Sequence, residues 1–130
     1  MELARPHPEC PVVRINSVIR GEIGPGSSET VLECYRAFVV VVIQQRADRA
    51  LLLGRANEDP VSHLAARDAV IALHVIGIPA GFRLALVPFT HETLNGFKHA
   101  ELEASQRGLR ARLFRDEREA MHWLSEAERH

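Results

Sequence analysis

Seven histidines, two cysteines and a few well-placed serines are the residues of this chain whose types could do chemistry. His63, His74, His91, His99 and His122 form neither an H-E-x-x-H motif nor a pair at i, i+4, the spacing that sets two imidazoles on one helix face around a metal. His7 and His130 lie in the termini. No metal and no other cofactor is therefore expected. His91 stands apart by its place, because it opens a helix at the carboxyl end of a strand, where open α/β sheets bind ligands. It is a candidate ligand-binding residue. Ser62 and His63 sit near the start of the helix before it. Ser62 has the hydroxyl of a nucleophile or a phosphorylation site, but no G-x-S-x-G elbow surrounds it, so no catalytic residue is assigned.

Anion chemistry has two weaker footholds. Gly24-Pro25-Gly26-Ser27-Ser28 precedes a helix, whose free N–H groups attract anions, yet Pro25 removes a donor and no phosphate-loop motif is present. A plain turn is the better reading. Arg110, Arg112 and Arg115 could present an anion-binding stripe, but Asp116, Glu117 and Glu119 follow at once and favour a solvated face. Cys10 and Cys34 have no metal-knuckle or C-x-x-C spacing, and read as structural or incidental thiols in a reducing cytoplasm.

The elements that must position these residues show most clearly at 109–128. Leu109, Ala111 and Leu113 alternate with Arg110 and Arg112, the period of a strand. The spacing then turns helical. Asp116 is a candidate N-cap with Glu119 at capping-box distance, and Ala120, Met121, Trp123, Leu124 and Ala127 form one apolar face. Upstream, Val12 to Ile15 and Val18 to Ile23 read as a hairpin turning at Asn16-Ser17, with a bulge at Gly21 as the alternative. A helix follows from Glu29 to Arg46 with Ser28 as cap, despite the β-branched run Val39 to Ile43. Its apolar surface runs far enough around to need cover on more than one side. Ala50 to Leu53 reads as a central strand buried on both faces. Asp59 and Pro60 open the next helix, which runs to about Ile76; Phe82 to Val87 is a strand; and Thr90 caps a helix to Gln106 that Gly108 ends.

The order ββαβαβαβα predicts an α/β fold with a mixed, mostly parallel β-sheet flanked by helices. A chain of 130 residues suits one domain, expected over 12–130 after an extended, proline-bearing arm at 1–11. With 46% hydrophobic and 25% charged residues, the composition is that of a globular protein. Sixteen basic residues against seventeen acidic ones leave a net charge of -1, so nucleic acid is not an expected partner. Neither a membrane-length apolar run nor a signal-peptide core is visible, and a cytoplasmic protein without membrane insertion is expected.

The early VIRGEI, the helix with Tyr35-Arg36-Ala37, the strand FRLALV at 82–87 and above all LRARLFRDEREAMHWL at 109–124 resemble the SpoIIAA-like, STAS-like proteins, a bacterial group of small α/β domains. The resemblance covers about Val12 to Leu124. It implies a role in binding a regulatory protein partner, or a nonpolar ligand as in lipid-carrier-like relatives. In anti-sigma-factor antagonists of the wider group, a Ser opening the helix after the central strand is phosphorylated in an Asp-Ser-Ser-Gly type context. Ser62 is near that place, but Asn57-Glu58-Asp59-Pro60-Val61-Ser62 lacks the motif.

The function expected is thus a noncatalytic regulatory or protein-binding domain, homodimeric through the over-apolar first helix, with Val41 as a candidate contact. The alternative is a carrier or sensor of a small nonpolar molecule, held in a cleft between helices and sheet by Phe38, Leu64 and Phe82.

Overall fold

The computed structural model describes residues 10–55 and 62–126, with Ser28, Ser62 and His63 described in backbone only. Along the chain run β1 (Val12–Ile15), β2 (Val18–Ile23), α1 (Ser28–Gln44), β3 (Arg49–Gly54), α2 (Ser62–Ile76), β4 (Arg83–Pro88), α3 (His91–Gln106), β5 (Arg110–Leu113) and α4 (Glu117–Ser125). This is the expected ββαβαβαβα order. The strands form one five-stranded sheet in sequence order, with β1 antiparallel to β2 and every later pair parallel.

Sequential order decides where the helices go. Crossovers of one hand between neighbouring parallel strands leave their helices on one face. Accordingly α1, α2 and α3 cover the face carrying Ile19, Ile23, Ala50, Leu52, Leu84 and Leu86. The other face presents Val18, Leu51, Leu53, Ala85 and Val87, and α4 folds back onto it with Ala120 and Leu124 buried and Met121 and Trp123 half-buried. Covered on both sides, β3 is buried from Ala50 to Gly54. A single helix cannot roof five strands, so on this second face Val13 and Ile15 of β1 and Arg110 and Arg112 of β5 stay exposed.

Local chemistry explains the element ends and corrects some expectations. The hairpin turns at Asn16, which takes φ 56°, a left-handed conformation that Asn tolerates. Gly21 is not a bulge: it pairs in register with Val12, and a Cβ there would lie 2.5 Å from Phe38 Cδ1. Ser27, and not Ser28, caps α1, its hydroxyl accepting from Thr30 N–H at 3.2 Å. Thr90 and Thr93 close a reciprocal capping box on α3. At α4 only half of the box forms among the described contacts: Asp116 Oδ1 accepts from Glu119 N–H at 2.9 Å. The candidate cap Asp59-Pro60, most of the 1–11 arm and Ala127 lie outside the described residues.

The cysteines correct another expectation. Cys10 and Cys34 are bonded to each other as a disulfide, with Cα atoms 5.3 Å apart, and neither is a free thiol. Both are buried, so the bridge ties the chain two residues before β1 to the middle of α1 inside the core. Among the described residues no helix is long and apolar enough to cross a membrane.

Candidate functional site

The β-branched run of α1 winds around the helix axis, and its neighbours settle which residues are covered. Val39, Val41 and Val42 pack inward, whereas Val40 is 42% exposed. The candidate contact Val41 therefore belongs to the core, at 1% exposure, and Val40 is the valine that faces outward. Beside it, α2 carries Ala65, Ala69 and Ala72 at i, i+4 and i+7, the spacing of one helix face. Methyl groups cannot fill the valley between two helices. What remains is a groove of 450 Å³, walled by Leu32, Tyr35, Val39 and Val40 of α1, with the three alanines opposite and Arg36 and Asp68 also lining it.

Charge and polarity are sparse there. Tyr35 is 5% exposed, and burial pushes its phenol above the ordinary tyrosine range. Its hydroxyl has no hydrogen-bond partner among the described residues. Arg36 is exposed, and among the described residues Asp68 holds only Arg67, at 3.3 Å across a solvent-exposed pair. The groove is thus an apolar slot with one phenol and two opposite charges, suited to shape recognition.

The candidate residues read from the sequence do not gather in it. Phe38 is in the core against Gly21, and Phe82 is also buried. Leu64 is 46% exposed on α2, one turn before Asp68. His91 is exposed as the first residue of α3. Ser62 is the first residue of α2, and both helix starts follow the carboxyl ends of parallel strands; the side chains of Ser62 and His63 lie outside the described residues. No group of three or more His, Cys, Asp or Glu side chains among the described residues is arranged to hold a metal.

At that carboxyl end of the sheet, on the α4 side, charge is paired instead of open. Arg20 Nε meets Glu117 Oε2 at 2.6 Å and Arg20 Nη1 meets Glu22 Oε2 at 2.8 Å, while Arg55 Nε reaches Glu22 Oε1 at 2.9 Å. The Arg20 guanidinium holds the Glu117 carboxyl below the usual carboxylate range. Arg55 also lies 4.1 Å over the ring of Phe89. Thr93 Oγ1 donates to Gly54 O at 3.0 Å, so the end of β3 is closed by α3. This network joins β2, β3 and α4, and its groups are already occupied by one another.

The groove was only partly legible beforehand. Excess apolar surface on α1 is visible as a pattern in the sequence, and the alanine stripe in HLAARDAVIALHVI is a second signal, legible once α1 and α2 are known to be neighbours. Comparison with protein-family models, with curated proteins and with solved structures finds no match to this chain.

Proposed function

We propose that this chain is a noncatalytic binding domain of the STAS-like kind, and that it works as a homodimer closed through the α1–α2 groove. The observation that carries the reading is the mixed lining of the groove. An outward apolar knob, Val40, stands beside an alanine-lined hollow, and Arg36 and Asp68 supply one charge of each sign. In the proposed dimer a two-fold axis would set the knob of each copy against the hollow of the other, as an isologous interface requires, with charges of opposite sign, Arg36 and Asp68, available on each copy.

The test is sedimentation velocity over a concentration series on the wild type and on Val40→Glu. The wild type is expected to dimerise, and Val40→Glu to raise the dissociation constant by at least about tenfold, because a carboxylate would be buried in the apolar contact. A wild type that stays monomeric at the highest concentration would refute the dimer.

One observation favours a nonpolar small molecule as a second reading. The groove volume of 450 Å³ falls in the range of about 300–1,000 Å³ usual for small-molecule sites, and the Tyr35 hydroxyl beside it lacks a partner among the described residues. Native mass spectrometry after gentle purification separates the two, since a carrier shows added mass on the monomer. In either case regulation by a further protein partner is read out by which state that partner binds.

A further inference from the structure

A second recess lies on the opposite side of the molecule, where α4 leaves the last strand unroofed. α4 packs over β4 and β3, so the outer face of β5 borders an open space of 610 Å³ lined by Arg112, Phe114, Arg115, Arg118, His122 and Trp123, among others. Phe114 and Trp123 meet with ring centroids 5.4 Å apart, Arg112 lies 5.4 Å over the Phe114 ring, and Arg83 lies 5.7 Å over Trp123. The two adjacent rings thus lie between two guanidinium groups. Arg83 is itself buried and donates to the carbonyls of Trp123 and Glu126 at 2.8 and 3.0 Å, which fixes the indole's helix in place.

What sets this recess apart is the grouping of its cations beside two aromatic rings. Arg20, Arg55, Arg67 and Arg107 each hold a carboxylate. Arg112, Arg115 and Arg118 have no carboxylate within ion-pair distance among the described residues, although Glu119 and Glu126 line the same recess. Arg115 and Arg118 also flank the start of α4, the positive end of a helix dipole, where cations are destabilising and acidic residues are preferred. Three guanidinium groups with no carboxylate at ion-pair distance among the described residues, two of them beside the acidic first turn of α4, mark a place suited to binding an anion.

We propose that this recess binds an aromatic anion, a planar ring bearing a phosphate or carboxylate group. The ring stacks on the half-exposed Trp123 and Phe114, and the anionic group lies among Arg112, Arg115 and Arg118, whose planar forks match carboxylate and phosphate oxygens. A small ligand fits better than an added strand at the β5 edge, because the Glu101 carboxylate already accepts from the Leu113 N–H at 3.1 Å and blocks continued pairing.

Trp123 is the only tryptophan of the chain, so its fluorescence reports the site directly. The full chain is titrated with phenyl phosphate, benzoate, inorganic phosphate, benzyl alcohol and a hexaglutamate peptide, and calorimetry gives the affinities. Phenyl phosphate or benzoate is expected to bind saturably, at least about tenfold tighter than inorganic phosphate or benzyl alcohol. Arg112→Gln and Arg118→Gln are each expected to weaken it about tenfold, the size of one lost charge-assisted hydrogen bond, with thermal melting unchanged. The proposal is overturned by the absence of saturation, by inorganic phosphate binding as tightly as its phenyl ester, by equal affinity in the glutamine variants, or by the peptide binding tightest.

Discussion

Single side chains decide how tightly the layers close. At Gly54 an added Cβ would lie 2.8 Å from both Thr93 Cβ and Phe97 Cζ, and Phe97 is fully buried. Neither neighbour is the free end of a flexible chain. Gly54→Ala is therefore expected to cost about 1–3 kcal/mol by overpacking, seen as a lower urea midpoint with an unchanged slope. Arg83 is the opposite case, a cation 6% exposed whose position is justified by two helix-end carbonyls. Arg83→Met keeps much of the volume and removes the donors. The loss expected from chemical denaturation is about 1.5–3 kcal/mol, the usual scale for hydrogen bonds to charged groups.

Among elements, α1 shows how context overrides propensity. A run of β-branched residues argues locally for a strand, but Val39, Val41 and Val42 each bury against the core when the segment is helical. The disulfide clamps this same helix to Cys10, two residues before β1, across a separation of 24 residues. Constraining a loop of that length in the unfolded chain contributes about 3.5 kcal/mol. Reduction with a strong thiol, or the double change Cys10→Ala and Cys34→Ala, is expected to lower the melting temperature. A thiol assay that finds both cysteines free in the protein as purified would remove this contribution.

At the scale of the molecule, the two sheet faces do different things. One is roofed by three helices, and the other by α4 alone, with its edge held down by the Arg20, Glu22, Glu117 and Arg55 network. Because the Glu117 carboxyl titrates lower in the folded protein than in the unfolded chain, this pair's contribution is present above the unfolded value near pH ~4 and is lost as pH falls through the folded one. Glu117→Gln should flatten the acid limb of the stability curve. The pair is partly solvated, so at neutral pH the variant should lose no more than about 1 kcal/mol, measured by urea unfolding from pH 2.5 to 7. An acid limb identical in the variant would mean that the network does not stabilise the docking of α4.

The order of elements, the hairpin, the caps at Thr90 and Asp116 and the buried central strand were all legible in the sequence, because each rests on the spacing or chemistry of neighbours along the chain. Side-chain period separates strand from helix within a few residues, and a short polar side chain before an apolar run marks a helix start wherever it occurs. Tertiary structure alone decided that Val40 faces outward while Val41 is buried, that Cys10 meets Cys34, and that Arg112, Arg115 and Arg118 gather beside Trp123. Those outcomes depend on the sequential strand order, which places three helices on one face and leaves one short helix for the other. A surface left open by an unequal division of cover has no signature in local spacing, since it is made by elements that are not there to fill it.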